Sequence, residues 1–220
     1  MDFKTILKSI AGLMFKRKII INGLNSGVGL EKIVNEACNK KGIYNIKQIK
    51  MPLLIPAVDL NTGKIYCFCS KEVRRHVSDE IRYISDIDIG IAVRASCSYP
   101  IVFTPCRYKG LELVDGGLRE NVPWQEVRDI GAEKVISVVF DQELAGKKHN
   151  TMLDVMGSSM NILKHRILDC ETKGADFVLE IHTEKVALLD TKRIEELYKL
   201  GYDVAKKNII GIKKMAEVKI

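Results

Sequence analysis

Asp115, Gly116 and Gly117 form the arrangement best suited to chemistry, within "ELVDGGLRENVPW" at residues 112–124. Leu111, Leu113 and Val114 predict a strand that leads into the aspartate. The two glycines permit a backbone path that side chains would obstruct. A carboxylate delivered to a strand end sits where sites in α/β sheets gather. There it can accept a proton from a reacting hydroxyl. The plain alternative is a turn aspartate, because Asp-Gly is common in turns. The local motif alone leaves both open.

Other chemistry-bearing residues give weaker signals. Cys38, Cys67, Cys69, Cys97, Cys106 and Cys170 are scattered through predicted core elements, with no C-x-x-C pair. Cys67 and Cys69 lie two apart on a predicted strand and therefore share a face. They read as buried free thiols rather than zinc ligands, which implies a reducing compartment, a cytoplasmic location and no structural disulfide. Gly23, Gly27 and Gly29 precede a helical pattern of Leu30, Ile33, Val34, Ala37 and Cys38, with Asn25 or Ser26 available to cap it. Such a loop can cradle phosphate. The lysine-hydroxyl pair and the G-x-G-x-x-G spacing that phosphate loops use are both missing, so it reads as a structural entry to the helix.

The elements that must position Asp115 follow from periodicity. "MPLLIPAVDLNTGKIYCFCS" predicts two strands around an Asn61-Thr62-Gly63 turn, with Pro52 and Pro56 at a sheet edge or bulge. "IGIAVRASCSYPIVFTPC" predicts a short apolar helix stopped by Pro100. "KVISVVF" at 134–140 is nearly continuous in apolar residues and predicts a strand buried on both faces. A helix from about Thr151 to Cys170 is expected to turn Met152, Val155, Met156, Ser159, Leu163 and Ile167 inward. "DFVLEI" is a further strand. A last helix starting near Asp190 or Thr191 carries Ile194, Leu197, Tyr198 and Ala205 on one face. Alternating strands and helices predict an α/β sheet with right-handed crossovers. The lysine-rich tail reads as a solvated helix face.

Length and composition bound the rest. The 220 residues suit a single domain, and 46% hydrophobic with 29% charged residues is ordinary for a globular chain with a real core. No apolar run is long enough to span a bilayer. The formal charge of +7 favours anionic surfaces, whether phospholipid or nucleic acid. Against nucleic acid stand the 6% aromatic content and the lack of stacking stripes, zinc fingers or a helix-turn-helix pattern. Residues 1–22 place Phe3, Ile6, Leu7, Ile10, Leu13 and Met14 on one helical face. They read as a basic amphipathic helix, either an ordinary surface helix or a peripheral membrane contact. Residues 23–220 form the α/β body.

Taken together, "AVRASCSYPIVFTPC" and "LVDGGLRENVPW" resemble the patatin-like phospholipase family, as do "PAVDLNTGKIYCF" and "GAEKVISVVF". The resemblance runs from about Gly23 to the final helix. Its specific part is D-G-G-x-x-x-N-x-P at this distance from the A-S-C-S-Y-P segment. It implies a three-layer α/β/α sandwich with a mostly parallel sheet, and a lipid acyl hydrolase with a serine-aspartate dyad. The substrate would be a phospholipid or other lipid ester, with no cofactor and no metal. The family's catalytic aspartate maps onto Asp115, with Gly116 and Gly117 as its supporting turn. His76, His149, His165 and His182 need no catalytic role. The family's nucleophile lies in G-x-S-x-G, a strained strand-to-helix turn. The one glycine pair at that spacing, Gly23 and Gly27, brackets Asn25 instead of serine. The glycine-rich oxyanion loop is missing as well.

The expectation is therefore a single patatin-like domain, N-terminally incomplete, without its first strands and nucleophile elbow, and inactive alone. Ser96, Ser98, Ser158 and Ser159 lie in contexts of helix packing and capping, with no turn to activate them. An incomplete sheet would call for a partner chain or oligomer to cover it. The alternative is a non-catalytic lipid-binding or interaction protein derived from the same fold.

Overall fold

A computed structural model of the chain describes residues 25–71, 73, 78–100, 102–142, 152–183 and 192–216. The expected amphipathic helix over 1–22, the helix starts at Thr151 and near Asp190, and both His76 and His149 lie outside those residues.

The fold is mixed α/β, with sheets flanked by helices. Helix α1 (Val28–Asn39) opens the described chain. Strands β1 (Leu54–Asp59) and β2 (Ile65–Cys69) form the expected hairpin, with Gly63 at φ 70° in its turn. Then come β3 (Ile81–Ile84), α2 (Ile89–Ser96), β4 (Cys106–Tyr108) and β5 (Leu111–Asp115). The five strands lie in the order β3-β2-β1-β5-β4. Short helix α3 (Trp124–Asp129) leads to β6 (Ile136–Gln142), long helix α4 (Met152–Glu171) and β7 (Phe177–Thr183). Helices α5 (Ile194–Lys207) and α6 (Ile209–Met215) follow. The parallel pairing expected for the sheet occurs between β2 and β3 and between β6 and β7. The three pairs around β1 and β5 are antiparallel.

Pro56 shows how the sequence sets the edge of one ladder. β1 is a central strand, so Pro56 is at neither a sheet edge nor a bulge, contrary to expectation. Along β1 the N–H groups alternate in direction. That of Asp59 points to β2, donating to Lys64 O, and that of Leu60 points to β5, donating to Glu112 O. Two-residue periodicity aims the missing N–H of Pro56 toward β5. There the paired register begins only at Ala57 opposite Asp115, so no ladder bond is lost.

The core lies between the main sheet and α2. Ala57, Phe68, Leu113, Ala92 and Ala95 are fully buried there, with Ile46, Ile87, Ile89 and Cys106 around them. α1 packs on α2, tied by the Arg94–Glu31 ion pair at 2.8 Å and by Gly90 N–H donating to Asn35 Oδ1. Cys67, Cys69 and Cys106 are buried, and all six cysteines are free. Cys97 and Cys170 are exposed rather than in the core.

Two burial expectations are corrected. Ser137 and Val139 of β6 are buried, with Val135 just before it, while Ile136, Val138 and Phe140 stand exposed. Alternate side chains point to opposite faces, and among the described residues only one face of the β6–β7 pair is covered, so β6 is a one-faced strand. Along α4, Met152, Val155, Met156, Ser159 and Leu163 are exposed, and Ile167 is half-buried. That helix is anchored at its C-terminal end, where the Glu171 carboxylate accepts the N–H groups of Asn121 and Val122 at 2.8 and 2.9 Å. On α5, Ile194 and Tyr198 are likewise exposed.

Candidate active site

Asp115 ends β5, and its place is fixed from three sides. Its backbone pairs with Ala57 of β1. Its N–H donates to Ser98 O at 3.1 Å, just past the end of α2. Its Oδ1 accepts from Gly117 N–H at 2.7 Å, capping the single 3₁₀ turn Gly116–Leu118. That turn holds the carboxylate in one orientation.

Neither glycine has a left-handed backbone, so the constraint is close approach: rigid for Gly116, which meets backbone, and softer for Gly117, which meets side-chain oxygens. A Cβ on Gly116 would lie 2.6 Å from Pro56 O, against the backbone of β1. A Cβ on Gly117 would lie 2.8 Å from Asn121 Oδ1 and 3.0 Å from Asp115 Oδ1. Gly116→Ala must push the turn off the central strand, and we expect it to destabilise the protein by about 1–3 kcal/mol. Urea unfolding measures this; an unchanged midpoint would show that the turn yields without cost.

The carboxylate opens into a pocket of about 240 Å³. Tyr99, Gly117 and Leu118 line one side, and Met160, Leu163, Lys164, Arg166 and Ile167 of α4 line the other. Burial pushes the Asp115 carboxyl above the ordinary carboxylate range, and the Gly117 N–H and the Lys164 charge pull it partly back. A carboxylate raised in this way is a better proton acceptor near neutral pH.

The serines do not reach the role of partner. Ser98 is buried beside Asp115, but its Oγ–H donates to Arg94 O at 2.8 Å, reaching back from just past α2 to the helix's last turn. Ser159 likewise donates to Val155 O on the exposed face of α4. Ser96 is half-buried in the last turn of α2, and Ser158 is half-buried on α4. Cys97 is closer to the site than any sequence signal suggested. Although the residue is exposed, partial desolvation of its thiol, then the Asp115 charge, raises the thiol pKa, which works against the thiolate that nucleophilic attack needs. His165 lies on α4 and His182 on an exposed position of β7. Among the described residues no group of His, Cys, Asp or Glu side chains could hold a metal ion.

Behind the turn lies a feature that sequence reading missed. Glu120, Glu126 and Glu171 converge from the loop, α3 and the end of α4. Glu126 is buried with its Oε2 unpartnered, as is Asn121 Nδ2. Burial, then the charges of Glu126 and Glu171, push Glu120 up to about 8 from 4.5, with Arg119 opposing. Burial raises Glu126 and Glu171 as well. Between those two pH values the folded state holds a proton that the unfolded chain has released. Stability is therefore fully present below pH 4.5 and falls as pH rises through 8. We expect a loss on the order of 2 kcal/mol across that window, discounted for the solvent near this half-buried group. Glu120→Gln should remove most of the slope in urea unfolding at several pH values. A slope that persists unchanged would assign it to another group.

The patatin-like phospholipase family model matches residues 6–128, more than half of the chain. The match includes α1, the main sheet, α2, the Asp115 turn and nearly all of α3. It also takes in the N-terminal residues from 6 onward, and it stops before β6. Among the described residues no helix is long and apolar enough to cross a membrane.

Proposed function

The chain belongs to the patatin-like phospholipase family, and on that premise we propose that it carries the acid–base half of a lipid acyl hydrolase site. Asp115 is the catalytic carboxylate, and Gly116 and Gly117 are the turn that orients it. The observation that carries this reading is a half-buried carboxylate at a strand end, held by the Gly117 N–H and facing a pocket with apolar walls. The reaction is hydrolysis of a lipid ester through an acyl-serine. A serine hydroxyl attacks the ester carbonyl while Asp115 accepts its proton; the proton then passes to the leaving alcohol, and water releases the acid. The 220 residues contain no G-x-S-x-G, so the serine and the oxyanion loop come from outside them, and the chain as given is inactive alone.

The test is to read the genomic sequence upstream of the Met1 codon in all frames. Any G-x-S-x-G segment found should then be joined to this chain. The joined protein should react with a fluorophosphonate serine probe and cleave a p-nitrophenyl acyl ester. The 220-residue chain should do neither. If the joined protein folds and stays unreactive, the hydrolase reading falls.

A second reading is a non-catalytic lipid-binding protein. What favours it is the pocket standing beside Asp115 while the Ser98 hydroxyl is committed to Arg94 O. It expects no G-x-S-x-G upstream and unchanged lipid binding in Asp115→Asn. Peripheral membrane contact fits either reading, given the net charge of +7.

A further inference from the structure

One face of α4, part exposed and part half-buried, takes on a meaning beside Asp115. Met160, Leu163, Lys164 and Ile167 are spaced i, i+3, i+4 and i+7, so they share one helical face. All four line the pocket, with Arg166 beside them. Leu163 is 65% exposed, so it offers apolar surface that an apolar ligand would take out of water. The stripe thus displays three apolar side chains and one cation to the same space.

The pocket's size narrows the occupant. At about 240 Å³ it falls below the ~300–1,000 Å³ of sites for larger organic ligands. That volume suits one alkyl chain rather than two. Lys164 forms no direct ion pair among the described residues, yet its charge reaches Asp115. With Arg166, two cations oppose one carboxylate, leaving the mouth of the pocket net positive.

We propose that this pocket selects single-chain amphiphiles with an anionic head. The alkyl chain lies against Met160, Leu163 and Ile167, and the carboxylate or phosphate head is held by Lys164 with Arg166. This rests on the lipid-directed reading of the same pocket. It adds which lipids enter and which residue chooses them.

The test uses binding alone, so it needs no serine. Titrate the 220-residue chain with dodecyl phosphate, dodecanoate, neutral dodecyl maltoside and inorganic phosphate, all below micelle-forming concentrations, by calorimetry. Dodecyl phosphate and dodecanoate should bind at least about tenfold more tightly than dodecyl maltoside, the scale of one well-placed charge contact. Inorganic phosphate should not bind measurably. Lys164→Gln should erase the preference for charged heads while keeping dodecyl maltoside binding. Lys40→Gln, an equal loss of charge at the far end of α1, should change nothing. Leu163→Gln should weaken all three amphiphiles.

Equal affinity for charged and neutral heads would overturn the selectivity and leave the lipid-directed reading standing. Phosphate binding as tightly as dodecyl phosphate would overturn the role of the apolar stripe. An intact preference in Lys164→Gln, or its loss in Lys40→Gln, would reduce the effect to overall charge. Failure of every amphiphile to bind would sink both this proposal and the lipid-directed reading.

Discussion

Asp115→Asn, in the chain joined to a G-x-S-x-G segment, should lower kcat by about 10²–10⁴-fold, the usual worth of a general base. KM should change little. The asparagine keeps an oxygen that can accept the Gly117 N–H, so the turn can hold its shape. What is lost is the ability to take a proton. Folding stability should not fall with the activity, because the substitution removes a carboxylate whose ionised form burial already disfavours. Steady-state kinetics and urea unfolding on the same preparation separate the two effects. Activity within threefold of the parent would remove Asp115 from the mechanism.

The second large effect is structural and acts on β1, the strand paired with the one that delivers Asp115. Asp59 is fully buried at the end of β1. Its Oδ2 accepts from Thr62 N–H at 3.1 Å and from the Thr62 hydroxyl at 2.7 Å. Its Oδ1 accepts from Glu112 N–H at 3.1 Å, on β5. One side chain therefore closes the hairpin turn and fastens β1 to the strand that delivers Asp115. Asp59→Ala leaves two backbone donors without their partner and should cost about 3 kcal/mol. Burial works to raise the Asp59 carboxyl, but these hydrogen bonds outweigh it and hold the group below its ordinary 3.8. Its contribution is thus fully present above pH 3.8 and is lost as pH falls through the lower folded value. Asp59→Asn should unfold less steeply in acid than the parent. Unfolding midpoints for Asp59→Ala equal to the parent would show that the turn and β5 stand without this carboxylate.

Much of the site was legible because local rules fix it. The Asn61-Thr62-Gly63 turn, the strand ending in Asp115 and the short helix before Pro100 depend on residues close in sequence. Each was found where periodicity and turn chemistry place it. The need for Gly116 and Gly117 was readable as a demand for space. The neighbours making that demand, Pro56 O and Asn121 Oδ1, were not, since they come from another strand and a later loop.

Burial was the least legible property. The apolar run of β6 reads as doubly covered, yet one face is exposed, because periodicity records hydrophobicity and not what lies opposite. The α4 stripe reads as core for the same reason, yet Met152, Val155 and Met156 stand exposed and only Leu163 and Ile167 of it line the pocket. The carboxylates Glu120, Glu126 and Glu171 are far enough apart in sequence that only folding brings their charges together.

By itself, the sequence determined the family and the presence of a carboxylate held on a glycine turn, since both rest on residue identity and short spacing. Tertiary structure decided that the Ser98 hydroxyl is spent on a helix carbonyl and that α4 brings Lys164 and an apolar wall to Asp115. Those outcomes depend on which distant surfaces meet, and no local pattern encodes that.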